Sequence, residues 1–303
     1  MALPYHTLDV FTERAFAGNP LAVVLEADGL DGAVMQTIAR EFNLSETVFV
    51  LKPDNPAHNA RMRIFTPTTE LAFAGHPTVG TAVLLAASRP GFGQGVNEAL
   101  IVLELAAGIV RVGVKLRDGS APYAEFDAPK LPELTRLDID TDDIAAAVGL
   151  LPSEIGFANH APRLARTAAT FALVPVASRE ALNRAAPNGS YWSQTFTDEG
   201  VVGAFFYSRD CINASSSFHA RMFAPDSGIP EDPATGSAAI GFAAALADFD
   251  GLPDGVHRRN IEQGYAMHRP SLMTLTIEVK GGKVDGIRLG GHAVRVMSGM
   301  LQV

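Results

Sequence analysis

A diverged internal repeat constrains this chain more than any other feature. Residues 76–82, His-Pro-Thr-Val-Gly-Thr-Ala, align with residues 232–238, Asp-Pro-Ala-Thr-Gly-Ser-Ala, 156 positions further on in a chain of 303. Upstream, Arg63-Ile64-Phe65-Thr66-Pro67 aligns with Arg221-Met222-Phe223-Ala224-Pro225, 158 positions apart. Two copies at that spacing do not make a solenoid. They describe two similar lobes with a cleft between them, each lobe carrying a strand, a proline-containing loop and the start of an apolar helix. Proline is favoured at the first helical position, where its missing N–H is no loss. Pro77 and Pro233 are therefore expected there, with His76 and Asp232 as the N-caps. The N–H groups near Gly75-His76 and Gly236-Ser237 would then suit an anion.

The remaining pattern fills in an α+β fold. Alternation marks a strand at residues 5–11, and the short apolar run at 21–25 reads as a buried strand that makes a hairpin with it; further strands are expected at 44–50, 61–65, 100–105, 109–116 and 123–126. Asp31 caps a helix that runs to Phe42, with Val34, Ile38 and Phe42 on one face and Asn43 as its C-cap. Residues 129–132 read as the lobe boundary. Beyond it, strands are expected at 170–176, 201–207, 218–223, 272–279 and 284–289, and helices at 141–149 and 178–186, with a turn at Asn188-Gly189. The domains are then 1–128 and 129–292, with a last strand at 293–303 that could return to the first lobe. Each lobe is expected to be a mixed sheet wrapped round one central apolar helix.

Composition closes off several functions. The chain is 47% hydrophobic with a net charge of −9, which supports a large core and argues against a nucleic-acid or anionic-membrane surface. No apolar run approaches a bilayer span, and residues 1–10 lack the basic and apolar regions of a signal peptide, so a cytoplasmic protein is expected. One cysteine, Cys211, precludes an internal disulfide framework and reads as a packed small side chain. The eight histidines are scattered, and neither a phosphate loop, a His-Glu-x-x-His helix nor a Gly-x-Ser-x-Gly elbow is present. What remains is Glu46, His76, Asp232 and Ser237. Glu46 stands before the apolar run Val48-Phe49-Val50. It is either a partly desolvated carboxylate suited to acid/base work or a solvent-facing residue at a strand start.

Four motifs in order resemble the PhzF-like phenazine-biosynthesis family. They are Asn43-Leu44-Ser45-Glu46-Thr47-Val48-Phe49; Arg63 to Pro67 with Glu70 to Thr78; Phe223-Ala224-Pro225 with Glu231 to Ala238; and Gln263-Gly264 with Arg269-Pro270-Ser271. The resemblance implies the diaminopimelate-epimerase-like fold, with two pseudo-symmetric lobes, each a mainly antiparallel sheet rolled round a central helix. It implies a homodimeric, cofactor-free isomerase of a small carboxylate, typified by trans-2,3-dihydro-3-hydroxyanthranilate, needing no metal, nucleotide or pyridoxal phosphate. By motif match, Glu46 is the group that moves the proton, and Gly75, His76, Asp232, Gly236 and Ser237 hold the substrate. Relatives that racemise amino acids use two cysteines at the helix starts. Here those places fall at Ala74 and about Pro233, which cannot take a proton. His268 departs from the family pattern, outside the acid/base set. An epimerase or racemase using other groups, and a non-catalytic binder on the same fold, are the alternatives.

Overall fold

The computed structural model describes residues 2–95, 97–117, 119–197 and 200–303. The chain divides into two compact units, Met1–Pro129 with Leu289–Val303, and Lys130–Arg288.

The first unit is built from β1 (Ala2–Val10), β2 (Asn19–Val24), α1 (Gly32–Phe42), β3 (Glu46–Leu51), β4 (Ala60–Phe65), β5 (Glu70–Leu71), α2 (Gly75–Ala87), β6 (Glu98–Leu105), β7 (Gly108–Lys115) and β8 (Tyr123–Asp127). β1 and β2 form the expected antiparallel hairpin. α1 then carries the chain across to β3, which pairs parallel to β2. The helix starts and stops where its local chemistry directs. Asp31 accepts the Val34 N–H at 2.8 Å, and Asn43 takes the left-handed conformation at φ 50°. β4 is antiparallel to β3, β6 is parallel to β4, and β7 and β8 follow antiparallel. β8 pairs in turn with the chain's last strand, which also pairs antiparallel with β1, so the sheet rolls into a closed ring.

α2 fills that ring. Nearly every residue of it is buried, as a helix with apolar side chains on all its faces requires. Its fit is close: a Cβ on Gly80 would lie 2.6 Å from Leu21 Cδ2 and 2.8 Å from Val10 Cγ2. Glycine there lets the helix axis approach β1 and β2.

The second unit comprises β9 (Glu133–Arg136), α3 (Thr141–Val148), β10 (Arg163–Arg166), β11 (Thr170–Pro175), α4 (Arg179–Arg184), α5 (Gly189–Trp192), β12 (Gly203–Ser208), β13 (Phe218–Ala224), β14 (Ile229–Asp232), α6 (Gly236–Phe249), β15 (Gly255–Gln263), β16 (Ser271–Lys280) and the start of β17 (Lys283–Gln302). Its pairing sequence reproduces that of the first unit. β10 and β11 are antiparallel, β11 and β12 parallel across α4, β12 and β13 antiparallel, β13 and β15 parallel, and β15 and β16 antiparallel. α6 is the counterpart of α2 and is likewise almost wholly buried, with Phe242 packed on Phe205, Tyr207 and Phe218.

The aligned arginines explain why the repeat survives in sequence. Arg63 makes a two-pronged bond to Glu70, with both contacts 2.7 Å, and Arg221 does the same to Glu231 at 2.9 and 2.8 Å. Each guanidinium also lies over the aromatic ring two residues on, Phe65 at 5.1 Å and Phe223 at 4.7 Å. Each clamp closes the proline-containing loop that leads toward the helix start.

Four expectations need correction. α2 begins at Gly75 with Ala74 as N-cap, so His76 is its second residue and Pro77 its third. Proline is accommodated there because the first turn has no intrahelical acceptors for its N–H groups. α6 begins at Gly236 with Thr235 as N-cap, so Asp232 is the last residue of β14 and caps nothing. Asn188-Gly189 opens the short α5 rather than a simple turn, because Tyr191 and Trp192 both bond back to the Asn188 carbonyl. The last two expected strands are one strand of 20 residues, β17, because Gly290, Gly291 and the polar residues around them stay extended. β15 escaped the sequence pattern altogether, since its buried end is Ile261-Glu262-Gln263, two of them polar.

Candidate functional site

In the first unit, α1 ends at Asn43 and the chain turns through Leu44 and Ser45 into β3, whose first residue is Glu46. Parallel pairing sets Glu46 opposite Leu21 of β2. The Ser45 hydroxyl donates to Asn19 Oδ1 at 3.0 Å, which ties the strand entry to the start of β2. The Glu46 side chain is 13% exposed, so it is not the solvent-facing residue of the alternative reading.

His76 comes from the first turn of α2 and is buried. Its Nε2 lies 3.4 Å from Glu46 Oε2. The ring also bonds to the main chain of Pro20. Proline offers only a carbonyl, and Nε2 makes no hydrogen bond, so the donor to Pro20 is Nδ1–H. Burial pushes the His76 pKa down to about 3, outweighing the Pro20 bond that raises it. At neutral pH the ring is therefore uncharged with its proton on Nδ1. The Nε2 lone pair then faces the Glu46 carboxyl group. The contact is not an ion pair, because His76 carries no charge. A hydrogen bond forms across it only when Glu46 carries the proton, donating it to Nε2.

In the second unit, Asp232 is buried at the end of β14, in register with Met222 of β13. Its carboxylate accepts the Thr235 hydroxyl at 2.6 Å through Oδ2. Pro233 and Ala234 are also buried, and α6 then starts with Gly236 and the part-exposed Ser237. The N–H groups at both helix starts lack intrahelical partners by construction, which gives each unit an end suited to negative charge. Glu46, Gly75 and His76 thus belong to the first unit, and Asp232, Gly236 and Ser237 to the second.

Other chemistries lack the groups they need. Ala74 caps α2, Pro233 precedes α6, and Cys211 has its pKa raised to about 11 by burial first and then by Glu262 and Asp210. That thiol is neither paired with another nor poised as a thiolate. Among the described residues, no group of three or more His, Cys, Asp and Glu side chains could hold a metal ion, and no helix is long and apolar enough to cross a membrane.

Sequence reasoning gave no role to Asn19, Pro20, Thr235 or Gln263. Thr235 and Gln263 lay inside quoted motifs. The Pro20 carbonyl, 56 positions before His76, had no signal at all.

The family described as phenazine biosynthesis-like protein matches residues 8–299. An uncharacterized isomerase of Mesorhizobium japonicum is 48% identical over 300 residues, covering 98% of both chains. The trans-2,3-dihydro-3-hydroxyanthranilate isomerase of Pseudomonas fluorescens is 35% identical over 293 residues, covering 96% of both. The crystal structure of a PhzF-family phenazine biosynthesis protein from Bacillus anthracis matches with a TM-score of 0.89 and 25% identity, covering 100% of both chains.

Proposed function

We propose, because this chain belongs to the phenazine biosynthesis-like protein family, that it is an isomerase that moves a proton between two carbons of a small carboxylate substrate without a cofactor. Glu46 is the single acid and base. The observation that carries this reading is the Glu46–His76 contact, 3.4 Å between Oε2 and an Nε2 that has no proton of its own. Glu46 takes the proton from one carbon, and the electron pair of that C–H bond moves into the adjoining π system. The new Oε–H is held by Nε2, whose burial keeps it uncharged and acceptor-only. The same proton is then delivered to the far carbon, where an electron pair of the π system forms the new C–H bond and the double bond is left displaced toward the first carbon. Nothing is oxidised and no atom leaves.

Gly75, His76, Asp232, Gly236 and Ser237 bind and polarise the substrate. The N–H groups of the helix starts receive its carboxylate and the charge that develops on it. Identity to the dihydro-hydroxyanthranilate isomerase supports a cyclic amino- or hydroxy-carboxylate as the substrate class. The lack of a second cysteine speaks against two-thiol racemisation.

The test is a proton NMR screen of amino- and hydroxy-carboxylates in deuterium oxide, followed by Glu46→Gln on the substrate found. The variant is expected to keep its fold and to lose about three or more orders of magnitude in kcat. Part of the substrate's own hydrogen should appear in the product, because a proton held between Glu46 and His76 is shielded from solvent. Turnover by Glu46→Gln within about tenfold of the parent would sink the single-carboxylate mechanism.

A further inference from the structure

The Gln263-Gly264 motif takes no part in the mechanism above, yet it lies against the Asp232 segment. Gln263 ends β15, in register with Ala220 of β13, and its side chain is fully buried. Its Nε2 donates to the Asp232 carbonyl at 2.7 Å and to Thr235 Oγ1 at 3.1 Å, and its Oε1 accepts the Thr235 N–H at 3.2 Å. The amide orientation is fixed by its partners, because a carbonyl only accepts and a main-chain N–H only donates. One more assignment follows. Thr235 Oγ1 receives the amide N–H, so its own proton is the one that reaches Asp232 Oδ2 at 2.6 Å. The chain of donors runs one way, from Gln263 through Thr235 to the carboxylate. Bonds in such a chain polarise one another, and the chain ends on an oxygen that accepts.

Gly264 completes the seat. Its φ is +80°, and a Cβ on it would lie 2.7 Å from the Pro233 carbonyl oxygen and 2.4 Å from that of Arg269. The turn that follows, closed by the Arg269 N–H on the Gly264 carbonyl at 3.0 Å, thus packs directly on the residue after Asp232. A buried amide and a glycine, adjacent in sequence and 28 or more positions beyond Thr235, hold both ends of the stretch from Asp232 to Thr235.

We propose that Gln263 is the positioning residue of the Asp232 half-site: it fixes the 232–235 main chain and, through Thr235, sets the Asp232 carboxylate as a hydrogen-bond acceptor for a substrate N–H or O–H. The effect on turnover rests on the isomerase reading, whereas the effect on the loop does not. Gln263→Met keeps the length of the side chain and removes all three bonds. Hydrogen exchange followed by NMR should show the Thr235 amide exchanging about tenfold faster or more, with the β12 and β16 amides unchanged. On the substrate found for the parent, kcat/KM should fall about ten- to a hundredfold, the scale of a small misplacement. In an Asp232→Asn background the same substitution should add little, because both act through one carboxylate.

Thr235 exchange that does not change, or that rises equally across the unit, overturns the proposal, as does full activity in the variant or an undiminished further loss in the Asp232→Asn background. If Gln263→Met does not fold, Thr235→Val cuts the same chain and must lose turnover while Thr235→Ser keeps it; equal activity of the two overturns the proposal. If the parent turns over no carboxylate, the isomerase reading falls, and the exchange result alone still decides whether Gln263 holds the loop.

Discussion

Lowering the pH should destabilise this protein through His76, and the size of the effect follows from the site. In the unfolded chain the imidazole titrates near 6.5, and in the folded protein burial pushes it down to about 3. Between those values the unfolded state binds a proton that the folded state excludes. The histidine's contribution is therefore fully present above pH 6.5 and is lost as pH falls toward 3. Each pH unit in that window costs about 1.4 kcal/mol per proton, so the loss reaches about 2 kcal/mol at pH 5. The Pro20 carbonyl, which accepts from Nδ1–H, works against this shift, and burial of the ring outweighs it. The Glu46 carboxyl group is the one acidic side chain within ion-pair distance of Nε2 among the described residues. The perturbation is His76→Gln, which removes the titrating ring. Urea unfolding of parent and variant at intervals from pH 7.5 to 5 gives the difference, in which contributions from other groups largely cancel. The variant should be less sensitive to acid, the gap between the two proteins shifting by about 2 kcal/mol in its favour across the range. A difference that stays flat within about 0.5 kcal/mol would refute the neutral, Nδ1-protonated ring, and with it the acceptor role of Nε2.

The packing of α2 makes a second expectation. Gly80→Ala places a methyl group against the Leu21 and Val10 side chains, at distances that force those side chains, the helix or the strands to shift. Loss of about 1–3 kcal/mol in chemical unfolding is expected, and a neutral result would show that the ring of strands yields more readily than its packing implies. Cys211→Ser should leave turnover within about twofold of the parent, because a half-buried thiol with its pKa near 11 is almost entirely protonated at neutral pH. A large loss of activity, or rapid labelling by a thiol reagent at pH 7, would contradict that assignment.

Local chemistry settled a good deal on its own. The span of α1 follows from Asp31 and Asn43, whose side chain and backbone act within a few residues of the helix ends. The two buried helices follow from runs so apolar that no face could remain in water. The doubled architecture follows from the Arg63 and Arg221 blocks, because each arginine must keep its own carboxylate and its own aromatic ring. Pairing order then repeats from one unit to the other. Other features rest on contacts between distant positions, which leave no periodic or compositional trace. The true helix starts at Gly75 and Gly236 depend on how each loop is tethered, since proline fits more than one first-turn position. β15 joins its sheet through buried polar residues that a hydrophobic pattern passes over. The His76 tautomer is set by a carbonyl 56 positions away, and the Thr235 hydroxyl is oriented by an amide 28 positions away. The sequence could place a carboxylate, a histidine and an aspartate beside glycine-containing helix starts. Which of them holds a proton, and which can only accept one, was decided by the tertiary structure, because a proton's place depends on every partner within hydrogen-bonding reach.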